Sequence, residues 1–280
     1  MFKNGGYDTK YKLIALDLDG TLKNSNNQIT KATRDALIQA QEMGIKVVLA
    51  SGRPTPGLRH EAKELKLDQY EGYLLSFNGA RVMDCKTRSS IYEQTLTIEE
   101  AKKAYQRAKS YGLSCMTYDE DIILTEDYDD EYVNIEAHIN DIDKQKVESF
   151  EECLKDPIYK VLLTGKPEYV ASIIDEFKEP FGDSLSIYRS APYFIEIMAQ
   201  NIDKAKSLDC LVRELGIKQE EVIAFGDGYN DLTMIEYAGL GVAMANAVDG
   251  VKEKADVVTK SNDEDGIAYM LKQVIEGIDY

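Results

Sequence analysis

Short apolar runs, each closed by a turn residue or a carboxylate, recur from the start of the chain. Tyr11 to Leu16 ends at Asp17, Ile45 to Ala50 ends at Ser51, and Tyr73 to Phe77 ends at Asn78. Each is about as long as a buried strand, and the first two show no polar alternation beyond their edges, the texture of strands covered on both faces. Between those two, Lys31 to Met43 reads as a helix, with Thr30 placed to cap its start and Gly44 its end. Strand, helix, strand in this order is the crossover unit of a parallel sheet. The texture returns late in the chain. Lys204 to Leu215 sets Ala205, Leu208, Val212 and Leu215 on one helical face before Gly216. Glu221 to Phe225 reads as a strand ending at Gly226, and Leu240 to Met244 and Ala255 to Thr259 as two shorter ones.

The middle differs. Thr97 followed by Glu100 is a capping-box signature that opens a helix running to about Tyr111. Val161 to Thr164 and Leu185 to Arg189 read as half-buried strands, and the acidic stretch Asp127 to Glu131 as a loop. The expected fold is therefore α/β: a Rossmann-like parallel-sheet core formed by residues 1–84 and 191–280, with an inserted α+β domain at 85–190. Met1 to Lys10 is polar and contains glycine, so it reads as a short frayed tail rather than a secretory signal.

Charge narrows the partners. A formal net charge of -17 argues against a nucleic-acid surface, which needs a basic patch. No apolar run approaches the roughly 20 residues of a membrane helix. Cys85, Cys115, Cys153 and Cys210 are widely spaced, and His60 and His138 add no zinc pattern, so four reduced thiols are expected. The expectation is a cytoplasmic protein, monomer or small homo-oligomer, without nucleic-acid or membrane partners. Any anion site on so acidic a chain must supply positive charge locally.

The strand ends carry the chemistry. Asp17-Leu18-Asp19-Gly20-Thr21 follows the first strand, and ligands of open parallel sheets bind at the carboxyl ends of strands. The two carboxylates lie on one side of the chain and repel by roughly 4 kcal/mol at ~4 Å and an effective dielectric of 20. A hard cation such as Mg²⁺ would relieve that repulsion and bring a phosphate alongside. A plain Asp-Gly turn would carry the same residues. Gly226-Asp227-Gly228-Tyr229-Asn230-Asp231 adds two carboxylates on Gly-permitted backbone. Asp227 could complete the shell, and Asp231 could act directly or through water. A dinucleotide fingerprint fails because Asp231 occupies the third glycine position, and an EF-hand fails because Gly20 comes two places early. Ser51-Gly52-Arg53 offers a hydroxyl and successive N–H groups to phosphate oxygens. Lys204 opens its helix behind Asp203, where a cation opposes the helix dipole but could supply the missing local charge. Asn78-Gly79-Ala80 and Asn246 also follow strands, as turns or as site residues.

Taken together, Asp17-x-Asp19-Gly-Thr, Ser51-Gly-Arg, Lys204 and Gly-Asp227-Gly-x-Asn230-Asp231 resemble the haloacid-dehalogenase (HAD) superfamily. Asn78-Gly-Ala and Ala243-Met-Ala-Asn-Ala are similar to the Cof-type sugar-phosphate phosphatases within it, over nearly the whole chain. The resemblance implies an Mg²⁺-dependent phosphatase acting on small-molecule phosphate esters through an aspartyl-phosphate. In it Asp17 is the nucleophile, and Asp19 is the acid and then the base. Asp17, the carbonyl of Asp19 and Asp227 hold the metal, with Asp231 in support. Leu18, Ser51, Gly52, Lys204 and Asn230 hold the phosphoryl group, with Arg53 and Asn78 as weaker substrate contacts. The inserted domain is the family's cap, expected to select the substrate and act as a mobile lid. The family often has Gly where this chain has Ala205 and Ala245. Asp19 separates the chain from the ion pumps, which typically carry threonine there, and from the dehalogenases, which lack the second aspartate. A phosphomutase of the phosphomannomutase type and a non-catalytic phosphate-binding module are the alternatives.

Overall fold

The computed structural model describes residues 10 to 277, so the tail expected at Met1 to Lys10 lies, Lys10 apart, outside the described residues. The chain runs through β1 (Leu13–Leu16), α1 (Lys31–Glu42), β2 (Lys46–Ala50), α2 (Arg59–Glu64), β3 (Tyr73–Ser76), β4 (Arg81–Asp84) and β5 (Ser90–Glu93). Then come α3 (Ile98–Ser110), β6 (Ser114–Asp119), β7 (Ile122–Thr125), α4 (Glu131–Asn140), β8 (Asp143–Lys146), α5 (Phe150–Cys153), β9 (Val161–Thr164), α6 (Pro167–Lys178), β10 (Leu185–Ala191) and β11 (Phe194–Ala199). It closes with α7 (Lys204–Glu214), β12 (Val222–Gly226), α8 (Leu232–Tyr237), β13 (Leu240–Ala243), α9 (Asp249–Lys252), β14 (Val257–Val258) and α10 (Gly266–Glu276).

Two compact units result. The first runs up to Gly52, takes in Arg59–Tyr92 and resumes at Asp203; the second comprises Arg53–Leu58 and Glu93–Ile202. These limits differ from the expected 85 and 190, because β5 extends the first unit's sheet and β11 joins that of the second.

Among the described residues the first unit's sheet has the order β14-β13-β12-β1-β2-β3-β4-β5. The strands from β14 to β3 run parallel, and β4 returns antiparallel on β3. The chain leaves β1 to build one side of the sheet and comes back at β12 to build the other. That reversal is a topological switch point, where the carboxyl ends of neighbouring strands open a crevice. The fold is thus the α/β class with a Rossmann-like core. Leu13, Ala15, Val48 and Ala50 pack with Leu208, Leu211 and Val212 of α7. Of the face expected for α7, Leu208 and Val212 are buried and Leu215 packs half-buried against the same cluster, while Ala205 is only half-buried; Lys204, Ser207 and Leu211 widen the buried side. Thr30 caps α1 by accepting the Thr33 N–H, and Gly44 follows the helix at φ +91°.

The second unit has a sheet in the order β10-β11-β9-β6-β7-β8. Val161 to Thr164 is buried at every position, not half-buried. Val161 and Leu163 pack among residues of α3 and α6, while Leu162 packs on the other side with Met116, Ile123, Phe194 and Val133 of α4. Both faces of the strand are therefore covered. The acidic stretch Asp127 to Glu131 is only partly a loop. Glu131 starts α4, and Asp130 caps it, accepting the N–H of Tyr132 at 2.8 Å and of Val133 at 3.1 Å. Among the described residues no helix is long and apolar enough to cross a membrane.

Candidate active site

Asp17 leaves β1 at the switch point. Its N–H donates to the Phe225 carbonyl of β12 at 3.0 Å, which continues the ladder one residue past the strand. The chain then folds back, with the Leu22 N–H on the Asp17 carbonyl at 3.2 Å and the Lys23 N–H on Leu18 at 2.9 Å. Gly20 makes this turn at φ +87°, and a Cβ there would stand 2.4 Å from Asp227 Oδ2. Glycine is therefore required both by the backbone and by the approach of Asp227. The Thr21 hydroxyl donates to Asp227 Oδ1 at 2.8 Å. Asp17 is buried and Asp19 exposed, though the Asp19 charge still reaches Asp227.

The loop after β12 is organised by Asp231, which is fully buried. Its Oδ2 accepts the N–H groups of Asp227 and Gly228, each at 3.0 Å. Its Oδ1 accepts from Lys204 Nζ at 2.6 Å. Lys204 is 1% exposed, and its ammonium also donates to Asp17 Oδ1 at 2.7 Å and to the Ala50 carbonyl at 2.8 Å. Those contacts use the three donors that a lysine has. Asp203 caps α7 by accepting the Lys206 N–H at 3.0 Å, which fixes the helix start and so the root of Lys204. The lysine opposes its own helix dipole, and the two carboxylates offset that cost.

Charge in this cluster is unbalanced. Asp17, Asp227 and Asp231 each place an oxygen within 4.8 Å of the others. Burial pushes the Asp17 carboxyl well above the usual carboxylate range; Asp231 adds to this and Lys204 opposes it. Burial also raises Asp227, with the Thr21 hydrogen bond working against it and Asp231 adding to it. Burial disfavours the Lys204 charge, but Asp17 and Asp231 outweigh it, so the ammonium is held above the usual lysine range. Three carboxylates thus face one buried ammonium. Clustered carboxylate oxygens are the donor set that hard divalent cations take, so these residues fit a magnesium ion.

A string of polar groups runs beside this cluster. Ser51, buried, donates its N–H to Leu75 of β3, and its carbonyl accepts the Asn78 N–H, both at 2.9 Å. Phe77, Asn78 and Gly79 are all left-handed, at φ +52°, +54° and +105°. Consecutive residues in that region are costly for side chains and cluster at functional sites. Here they bring Asn78 over Gly52, where a Cβ would meet Asn78 Oδ1 at 3.0 Å. The same Oδ1 accepts from Asn230 Nδ2 at 3.4 Å. Asp17, Lys204, Asp227 and Asp231 are therefore in direct contact or close range, and Ser51, Gly52, Asn78 and Asn230 are linked to one another. The exposed Asp19 stands beside Gly20, and the Leu18 side chain is buried. Arg53 belongs to the second unit, where its Nη1 donates to the Ile139 carbonyl at 2.8 Å. His60 is on α2 with an exposed ring. Sequence reasoning assigned no role to Thr21; a hydroxyl directly after Asp-Gly was the available signal.

Residues 14–271 match the haloacid dehalogenase-like hydrolase family. A haloacid dehalogenase-like hydrolase from Bacteroides thetaiotaomicron has a similar structure, with 42% identity and a TM-score of 0.91 over 94% of this chain and 99% of that one. The HAD subclass IIB sugar phosphatase BT4131 aligns at 29% identity and a TM-score of 0.76, covering 94% and 98% of the two chains. By sequence, the 5-amino-6-(5-phospho-D-ribitylamino)uracil phosphatase YitU of Bacillus subtilis (strain 168) is 32% identical over 277 residues, covering 95% of this chain and 98% of that one. The chain belongs to the haloacid dehalogenase-like hydrolase family and is a phosphatase of it.

Proposed function

We propose that this phosphatase hydrolyses small-molecule phosphomonoesters, sugar phosphates or similar metabolites, with Mg²⁺ and through an aspartyl-phosphate on Asp17. The observation that carries the reading is the Lys204 ammonium held between Asp17 and Asp231, with Asp227 alongside. It supplies fixed positive charge inside an acidic protein at the switch point of the sheet. Phosphoryl transfer needs such positioning and neutralisation more than elaborate covalent machinery.

In this reading an Asp17 carboxylate oxygen attacks phosphorus in line. The phosphorus–oxygen bond to the leaving group breaks as Asp19 gives its proton to the departing oxygen. Asp19, now a carboxylate, takes a proton from water, whose oxygen attacks the phosphorus and breaks its bond to Asp17. Inorganic phosphate leaves and both aspartates return to their starting states. Splitting one hydrolysis into two displacements lowers each barrier, and a well-placed acid and base contribute ~10²–10⁴-fold. Ser51, the Gly52 and Leu18 N–H groups, Lys204 and Asn230 hold the phosphoryl oxygens. Asn78 steadies Gly52 and Asn230, and Arg53 is a weaker substrate contact. Asp17, the Asp19 carbonyl and Asp227 would hold Mg²⁺, with Asp231 supporting Asp227 through the loop N–H groups. The ion, when bound, supplies charge neutralisation and alignment of the phosphoryl group.

The test is inorganic phosphate release from a panel of sugar phosphates, nucleotides, flavin mononucleotide and pyridoxal phosphate, with Mg²⁺ and with a chelator. Release that needs Mg²⁺ supports the reading. A folded protein that releases none overturns it; an isomerised product in the presence of a bisphosphate would point to a mutase instead.

A further inference from the structure

The loop from Gly20 to Thr30, which carries the chain from β1 to α1, is held by side chains from the far end of the sequence. Asn246 Nδ2 donates to the Gly20 carbonyl at 2.8 Å, and Asn246 Oδ1 accepts the Asn262 N–H at 3.0 Å. Asn262 Nδ2 in turn donates to the Lys23 carbonyl at 2.8 Å. The same short segment continues the contact. Asp263 accepts the Ser25 N–H at 2.8 Å and the Ser25 hydroxyl at 2.6 Å, and Asp265 accepts the Thr30 hydroxyl at 2.5 Å. Asn246 itself sits on a loop whose Val248 N–H donates to the Asp227 carbonyl at 3.0 Å. One exposed asparagine therefore ties the turn after Asp19 to the loop that presents Asp227.

We infer that Asn246 and Asn262 are positioning residues for Asp19. The inference rests on the phosphatase reading above, in which Asp19 protonates the leaving oxygen. Asp19 lies on an exposed turn, so packing alone does not fix it. The two asparagines hold carbonyls at both ends of the segment Gly20 to Lys23, and Gly20 is the residue joined to Asp19. Hydrogen bonds this close to the surface shift the folding equilibrium by only about fivefold. A displaced proton donor, by contrast, loses much of the ~10²–10⁴-fold that acid catalysis supplies. The asparagines should therefore matter for proton transfer far more than for stability.

The experiment compares Asn246→Ala, Asn246→Asp and Asn262→Ala with the parent protein on two esters, glycerol phosphate and p-nitrophenyl phosphate. Alkoxide is a poor leaving group that needs a proton; nitrophenolate leaves with little help. The expected result is a kcat/KM loss of about tenfold or more on glycerol phosphate and about threefold or less on p-nitrophenyl phosphate; kcat/KM reports the displacement that expels the leaving group, whereas the later water step, in which Asp19 is the base, is common to both esters. Asn246→Asp keeps the acceptor for Asn262 but cannot donate to Gly20, so it should behave like the alanine variant. Equal losses of kcat/KM on both esters, no loss, or a wild-type-like Asn246→Asp would overturn the inference. Hydrogen exchange in metal-free protein supplies a reading independent of turnover. The Leu22 and Lys23 amides should exchange about fivefold faster in Asn246→Ala. Unchanged exchange would overturn the positioning role, whereas faster exchange in a protein that releases no phosphate would leave the bracket standing and remove the function assigned to it.

Discussion

Lys204 Nζ and Asp17 Oδ1 stand 2.7 Å apart although 187 residues separate them in the chain. The lysine starts a helix and the aspartate ends a strand, and the pair is sealed from solvent at 1% and 8% side-chain exposure. Replacing Lys204 by Met should remove the ammonium that faces the three carboxylates while leaving Asp17 and Asp231 buried. Breaking a buried pair from one side costs ~3–5 kcal/mol, so the variant should unfold at markedly lower urea and lose phosphate release. A variant as stable as the parent in metal-free buffer would show that the carboxylates do not depend on the ammonium.

Asp17→Asn removes one of three clustered carboxylates and leaves Lys204 paired with Asp231. The fold should be retained, with thermal unfolding no lower than the parent in metal-free buffer. Turnover should fall by roughly a thousandfold or more, the scale of losing a covalent nucleophile. Phosphate release near the normal rate would rule out the aspartyl-phosphate route.

Gly20→Ala puts a methyl group 2.4 Å from Asp227 Oδ2 on a backbone at φ +87°. Either the turn or the Asp227 loop must move. A strained left-handed position costs ~1–3 kcal/mol, and the displaced carboxylate should weaken the site further. The expected readout is a lower melting temperature together with a higher Mg²⁺ concentration for half-maximal activity. Unchanged Mg²⁺ dependence would separate Asp227 from the metal.

Thiol chemistry gives a pH test away from the site. Burial pushes the Cys85 thiol up to about 12, with Asp84 and Asp68 adding to it, and burial raises Cys115 as well. The reactive species is the thiolate, and an acid whose pKa is raised stays protonated to higher pH. At pH 8 both thiols should resist a disulfide reagent in the folded protein, and the Cys85 rate should climb only as pH approaches its raised value. Denaturant should expose both at once. Rapid modification of Cys85 at pH 8 without unfolding would contradict a thiol that its surroundings keep protonated.

Much of this site was legible because its residues close apolar runs. Asp17, Ser51, Asn78 and Gly226 each stop a strand, and the residues around them carry carboxylates, amides and glycine in place of continued hydrophobicity. Asn262, Asp263 and Asp265 were not legible. They lie in a polar stretch with no periodicity, where a bracket for a distant loop looks the same as solvated surface. Asn246 was visible only as an ambiguous turn residue, since its partners Gly20 and Asn262 are set by tertiary contact.

By itself the chain order determined what four or five neighbouring residues can settle: the caps at Thr30, Thr97 and Asp203 and the crossover that makes a parallel sheet, but not the strand lengths, since the run Ala255 to Thr259 forms only the two-residue strand Val257–Val258. Those features depend on local hydrogen bonds and on the periodicity of one element. The tertiary structure alone decided that β9 is covered on both faces, that Lys204 bridges two aspartates, and that Asn246 and Asn262 reach Gly20 and Lys23 across 226 and 239 residues. Such contacts are selected by the order in which strands join the sheet, and no local pattern encodes the distance between two loops that meet only when the sheet is complete.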